Sequence, residues 1–408
     1  MILQWFLSRS VRNAAAMRKH VRRILSHQRD ILPPKAVEEV ESAMRQMDEC
    51  LAGGADKAAL EKQMENLEGS ANKWLKPYPN ASFRENIEVL LVALTVAMGV
   101  RTFFLQPFKI PTGSMQPSLY GVTSENLINK RDFKIPTGWQ RINEWFQGTS
   151  YLHIVADNDG ELQKVEQPLR LLIFNIKQTL WVGGKSYTLL LPPDFGAGQN
   201  GTLEARAELH RGQFFHKGDD IVKLRVTAGD HLFVDRLSYN FRPPKRGEIV
   251  VFETHGITRL PPEQQDTFYI KRLVGLGGET LSLQQDYEVT GVPGFGTLAA
   301  GNLVIDGQLL SEATPHFEKL YTFYGAPGNS KVLPYQENHY YGHAMVGALA
   351  PGNEFKIRPN YLFVMGDNTM NSLDSRYWGD FQASSVIGRS FFVYWPLTIR
   401  FGCSCIRQ

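Results

Sequence analysis

The sequence predicts a mostly β protein with antiparallel pairing, carried behind one N-terminal transmembrane helix and an α-helical extension. Three observations predict it. Residues 86–108 are apolar for long enough to cross a bilayer, and the residues before them show helical periodicity. The residues after them break into short β-branched and aromatic runs separated by Gly, Pro, Asn and Asp. The 408 residues, 43% hydrophobic and 21% charged with a net charge of +3, fit an anchored globular protein with room for two or more domains.

In the extension, residues 1–85, Met17, Val21, Ile24 and Leu25 share one helical face, with Arg18, Lys19, Arg22 and Arg23 around them. Val37, Val40, Met44, Met47 and Leu51 continue a similar period until Gly53-Gly54 breaks it, and a further helix near Asp56 to Leu67 folds back as a hairpin. We expect a cytoplasmic helical extension without catalytic duties. Met1 to Leu7 is too short, and too soon followed by Arg9 and Arg12, to be a cleaved signal.

The spanning segment draws its apolar surface from Leu90, Leu91, Val92, Leu94, Val96, Met98, Val100, Phe103, Phe104 and Leu105. At about 1.5 Å per residue, roughly 20 residues cover the hydrocarbon core. Arg101 lies near the exit end, where its stem can snorkel toward the headgroups. Residues 1–85 carry fourteen Lys or Arg, whereas Lys109 alone lies within twenty residues on the far side, so the N-terminus is expected in the cytoplasm. Residues 109–402 then form an extracytoplasmic β domain ending in a tail, 403–408, and the protein is expected in the cytoplasmic (inner) membrane.

Several function classes fall away. No basic run is interleaved with aromatics, so nucleic acid is not an expected partner. The three cysteines are Cys50, Cys403 and Cys405; Cys-x-Cys cannot make a four-ligand site alone and no Cys/His cluster completes it, so neither metal nor cofactor is expected.

Beyond the membrane, strand-like runs occur at Leu171 to Ile176, Tyr187 to Leu191, His231 to Val234, Glu248 to Phe252, Tyr269 to Val274, Leu303 to Ile305, Tyr361 to Val364 and Phe391 to Trp395. Pro243-Pro244, Pro261-Pro262 and Gly291 to Gly296 mark loops.

Four blocks carry the chemistry. Six residues past the spanning segment stands Ser114, in Pro111-Thr112-Gly113-Ser114-Met115-Gln116-Pro117-Ser118-Leu119, which places a nucleophile near the membrane surface. Tyr269-Ile270-Lys271-Arg272-Leu273-Val274-Gly275 sets a lysine inside an apolar strand. Gly366 to Gly379, reading Gly-Asp-Asn-Thr-Met-Asn-Ser-Leu-Asp-Ser-Arg-Tyr-Trp-Gly, is densely polar, and Ala228 to Tyr239 completes the set. A serine hydroxyl needs a base. A lysine can serve if burial among Ile270, Leu273 and Val274 lowers its pKa from about 10.4 toward the working pH.

In this order and behind an anchor, the blocks resemble bacterial type I signal peptidases, membrane-anchored Ser-Lys endopeptidases. The resemblance implies a signal-peptidase-like β catalytic domain in which Ser114 attacks the scissile carbonyl and Lys271 is the base. Ser372 would hydrogen-bond and orient the lysine, while Thr112 and the Ser114 backbone N–H would hold the oxyanion. Asp374 and Arg376 would form a buried ion pair, with Arg272 in the same polar support. Phe108, Ile110, Pro111, Met115, Leu119, Leu232, Tyr269 and Ile270 would line shallow pockets for small residues at −1 and −3 of the cleavage site. The implied partners are signal peptides of exported preproteins, the lipid bilayer and the secretion machinery.

Two features depart from the family pattern. Thr369 stands where an Arg usually follows Gly-Asp-Asn, and about 108 residues separate Leu119 from Gly229. This insertion, about 121–227, holds a second Lys134-Ile135-Pro136-Thr137-Gly138, but Trp139 follows in place of the nucleophile. The competing readings are a catalytically silent homologue that binds signal peptides and a self-cleaving Ser-Lys protease.

Overall fold

A computed structural model describes residues 9–53, 57–76, 81–130, 132–171, 174–195, 201–322, 331–336 and 342–403. Met1 to Leu7, Gly54, Asp56 and Cys405 lie outside them. The chain separates into two compact units, residues 1–95 and 96–408.

The first unit contains helices α1 (Arg9–Gln28), α2 (Pro34–Ala52) and α3 (Lys57–Trp74) and the start of α4 (Ala81–Phe103). Val21 and Leu25 of α1, Val40 and Met47 of α2, and Leu60 and Leu67 of α3 close one apolar cluster, the amphipathic solution for helices of this length. α3 runs past the expected Leu67 to Trp74, whose indole N–H donates to Glu39 at 2.9 Å.

Phe83–Phe103 is the one described helix long and apolar enough to cross a membrane, and its apolar side chains have no protein cover. It stops at Phe103, short of Phe108. Pro107 cannot donate a backbone hydrogen bond and disfavours helix at Gln106, and Leu105–Lys109 forms strand β1 instead.

β1 is the first of seven strands that make the central antiparallel sheet. The others are β2 (His231–Asp235), β3 (Ile249–Glu253), β4 (Phe268–Gly275), β5 (Tyr361–Met365), β6 (Phe381–Gln382) and β7 (Val386–Trp395), in the order β1-β2-β7-β3-β4-β5-β6. Gly402–Cys403 adds an eighth, short strand on β7. One face packs Leu232, Val234, Ile249, Val251 and Val393 against Ile110, Met115 and Leu119. A second, mostly antiparallel sheet is built on the hairpin Thr280–Val292 and Gly296–Ile305, so of the expected loop Gly291 to Gly296 only Pro293, Gly294 and Phe295 form the turn.

The insertion is a β module with a core of its own, including Leu152, Leu162, Leu180, Val182, Leu189, Phe215, Val222 and Leu224. Its two ends meet. Thr123–Asn126 pairs antiparallel with Asp220–Thr227, which also pairs with Thr149–Val155. At the base, Asp230 N–H donates to the Tyr120 carbonyl (2.8 Å), and the buried Asp230 carboxylate accepts from Tyr120 N–H (2.8 Å) and Arg400 Nε (2.8 Å). Gly229 lies so close to the Ile110 carbonyl that any Cβ would collide with it.

Candidate active site

The turn Gly113–Met115 presents Ser114, held from both sides by the chain around it. Val122 N–H donates to the Pro111 carbonyl (3.2 Å), and Ile110 N–H to the Asp230 carbonyl (2.9 Å), so the base of the insertion fixes the approach to the serine. Asn368 holds the other side: its Nδ2 donates to the Gly113 carbonyl (3.0 Å) and its backbone N–H to the Ser114 carbonyl (3.0 Å).

Lys271 comes from the middle of β4, opposite Val250 of β3. A central strand leaves a long side chain no route to solvent, and Lys271 is 4% exposed. Its Nζ lies 2.6 Å from Ser114 Oγ. Burial pushes its pKa down to about 8; Asp374 and Asp367 partly oppose that shift and Arg376 adds to it. The amine is therefore neutral over an accessible pH range and can accept the serine proton. Thr112 Oγ1 is 3.5 Å from Ser114 Oγ, at the outer limit of a hydrogen bond.

Two buried ion pairs brace this pair. Asp374 and Arg376 are both inaccessible, joined by Arg376 Nε and Nη2 at 2.9 and 2.7 Å, and the carboxylate also accepts from Gly366 N–H at 2.9 Å. Arg272 pairs with Asp367, Nε and Nη2 at 2.7 and 2.6 Å. Its remaining donors reach the Gly247 and His316 carbonyls and Ser118 Oγ. Such fork geometry satisfies every guanidinium edge, which an isolated buried charge could not survive.

Thr369, the departure from the family pattern, is part of this brace. Its hydroxyl accepts from Arg376 Nη1 (2.8 Å) and Ala344 N–H (2.5 Å), and its carbonyl from Arg376 Nη2 (3.0 Å).

One expectation needs correction. Ser372 is buried beside the site, yet its Oγ has no hydrogen-bond partner among the described residues, so the expected bond to Lys271 is not made. Lys271 directs its amine to Ser114, and Ser372 Oγ lies against Gly366, where a Cβ would strike both it and the Ser114 carbonyl. The residues assigned to substrate pockets divide. Ile110, Met115, Leu119 and Leu232 are fully buried in the core beneath the sheet, whereas Phe108, Pro111, Tyr269 and Ile270 keep partial exposure. The sequence alone gives no role to Gly366, Asp367 or Asn368, although all three stand in the Gly-Asp-Asn block; the partners of Asp367 and Asn368 lie 95 and 255 residues away, and that of Gly366 is Asp374.

Comparison with known proteins points the same way. Residues 222–395 match the family described as signal peptidase, peptidase S26. The signal peptidase I of Leptolyngbya laminosa is 31% identical over 173 residues, 42% of this chain and 63% of that protein. A probable signal peptidase I-2 of a Synechocystis species is 30% identical over 172 residues, 42% of this chain and 58% of its own. The chain thus spans about three fifths of the length of these relatives. A solved signal peptidase I from Enterococcus faecalis aligns with 36% of this chain and 97% of its own at 25% identity, with a TM-score of 0.22, too low to argue the fold from. The matched region contains Lys271, Arg272, Ser372, Asp374 and Arg376, while Ser114 precedes it. The segment 121–227 closes on itself and returns the Ser114 turn to the matched strands, so the region similar to signal peptidase I, peptidase S26, and Ser114 form one site.

Proposed function

We propose that this protein is a membrane-anchored serine endopeptidase that removes signal peptides from exported preproteins. The observation that carries the reading is the 2.6 Å contact between a buried lysine amine and Ser114 Oγ. Ser114 attacks the scissile carbonyl carbon as Lys271 takes its proton. The Ser114 N–H and the Thr112 hydroxyl stabilise the oxyanion, and the Lys271 ammonium returns the proton to the leaving amine. Water then hydrolyses the acyl-enzyme by the same route. Once protonated, Lys271 needs a second acceptor, and Ser372 Oγ, which has no partner among the described residues, would have to turn toward it to serve.

The partly exposed Phe108, Pro111, Tyr269 and Ile270 suit a shallow apolar cleft taking small residues at −1 and −3. α4 would anchor the enzyme in the cytoplasmic membrane with the N-terminus in the cytoplasm, and the secretion machinery would deliver the substrate. The test is incubation of the purified full chain with a preprotein bearing an Ala-x-Ala site. Cleavage in trans after the second alanine, abolished by Ser114→Ala, is expected. Binding without cleavage, or cleavage of the chain itself alone, would refute the proposal.

A further inference from the structure

The three helices of the first unit divide its charge unevenly. α2 carries two Lys or Arg against five Asp or Glu, and α3 carries three of each. α1 carries six, Arg9, Arg12, Arg18, Lys19, Arg22 and Arg23, and no carboxylate at all. With about 3.6 residues per turn these cations do not scatter round the helix. Ala14, Val21, Leu25 and Gln28 make its buried face. Arg9, Arg12, Lys19 and Arg23 fall on the opposite face at spacings of three and four residues, with Ala16 filling the row. Arg18, at the margin, is held by Asp48 at 2.5 Å, but among the described residues no carboxylate pairs with Arg9, Lys19 or Arg22. Like charges one turn apart repel, so this row is built to be neutralised from outside the unit.

The place of the row within the first unit identifies what neutralises it. α1 is fastened where the chain turns toward α4: Gln28 Nε2 donates to the Lys76 carbonyl (2.7 Å), Gln28 Oε1 accepts from Lys76 N–H (3.1 Å), and Leu75 closes the apolar cluster of the three helices. From the basic face itself Arg23 pairs with Glu88, which also accepts from Arg84 Nε (3.0 Å). Glu88 is the last charge before the apolar stretch, and Val89, Leu90, Leu91, Val92 and Leu94 follow it with no protein cover. α1 therefore meets α4 at the level where a spanning helix enters the headgroup layer, and does not run on beside the apolar stretch. The face that bears Arg9, Arg12 and Lys19 is the face that makes this meeting. Resting on the reading of α4 as a membrane anchor, we propose that α1 lies along the bilayer surface beside it, with this row among anionic phospholipid headgroups. An anionic lipid surface is the occupant rather than nucleic acid, because the row shares its face with the residue that pairs at the start of the spanning stretch. Each cation at such a surface strengthens attachment on the order of fivefold, and salt screens it.

The test uses the full chain with Cys50, Cys403 and Cys405 changed to Ser and a fluorophore on Ala16→Cys, an exposed position in the basic row. It is reconstituted into phosphatidylcholine vesicles with or without phosphatidylglycerol, each carrying a headgroup-linked quencher. Quenching should be several-fold stronger with phosphatidylglycerol and should fall to the phosphatidylcholine level in about 0.5 M salt. Arg9→Gln, Arg12→Gln and Lys19→Gln together should abolish the difference. The charge-keeping set Arg9→Lys, Arg12→Lys and Lys19→Arg should restore it, which separates lost charge from lost fold. Equal quenching in the two lipids would overturn the proposal. So would a label that ignores phosphatidylglycerol but responds to added single-stranded RNA, which makes nucleic acid the occupant. Flotation with phosphatidylcholine vesicles tests the anchor separately. A chain that fails to float refutes the reading of α4 and the proposal with it, whereas one that floats without a phosphatidylglycerol response refutes the proposal alone.

Discussion

Lys271 can act as a base only because of where β4 holds it. Solvated, it would be charged at neutral pH; buried, its pKa falls to about 8, so the neutral fraction and the rate should rise together as pH increases through that value. A rate flat in pH until about 10, the unperturbed value, would contradict the buried-base mechanism. Ser114→Ala and Lys271→Ala should each nearly abolish cleavage, and the double variant should lose little more, because the pair acts as a unit. Lys271→Arg should fail too, since a guanidinium holds its proton. The Thr112 hydroxyl would strengthen its interaction only as negative charge develops. Thr112→Val should therefore cost about 2.7 to 4 kcal/mol in the transition state, read as kcat falling with KM little changed, and Thr112→Ser should keep most activity. Both members of the proposed dyad were named from motif order, and the fold sets them 2.6 Å apart. The unpartnered state of Ser372 was not, because a hydroxyl's partner depends on geometry of about 0.5 Å that no spacing encodes.

The loop from Gly366 to Gly379 is the element that converts sequence into a site. It supplies Asp367 to Arg272, Asn368 to the Ser114 turn, Thr369 to Arg376, and Asp374 to the Gly366 N–H, so each residue braces a different neighbour. Removing one partner of a buried pair leaves the other uncompensated. Arg272→Met should thus lower stability by about 3–5 kcal/mol, seen as a fall in the thermal midpoint of the detergent-solubilised chain. Thr369→Val strands the Arg376 and Ala344 donors and should cost about 1–3 kcal/mol, with Thr369→Ser recovering most of it. A Thr369→Val midpoint equal to the parent's would mean that the hydroxyl is dispensable to the brace. The ion pair Asp374–Arg376 was expected from the family resemblance alone; Arg272–Asp367 joins positions far apart in the chain and needed the fold. Most strands were legible where apolar residues ran together, but the expected strand Leu171 to Ile176 straddles two antiparallel strands, Leu169–Leu171 and Phe174–Val182, with residues 172–173 outside the described ones. Thr280–Val292 was not legible, since Gln284, Gln285 and Asp286 interrupt its apolar pattern with exposed polar residues.

At the scale of the whole molecule, the insertion divides the motif blocks in sequence without dividing them in space. Thr123 stands opposite Thr227 in an antiparallel ladder, and below that rung Tyr120 and Asp230 exchange two hydrogen bonds through backbone and carboxylate. The rung has the geometry of a hairpin base, so a two-residue turn can close it. Replacing residues 124–226 with Asn-Gly removes the module together with its separate core, while keeping Val122 on the Pro111 carbonyl and Asp230 on Ile110. The shortened protein should fold and cleave a soluble peptide within about tenfold of the parent kcat/KM, because none of the groups bonded to Ser114 or Lys271 belongs to the excised segment. Asp230→Ala in the intact chain provides the complementary measurement: it removes the carboxylate that holds both Tyr120 N–H and Arg400 while leaving the backbone bonds, and should depress peptide cleavage more than the excision does. If the excised protein is inactive on the soluble peptide while remaining folded, the module reaches the chemistry directly, and the independence of the two cores is not independence of function.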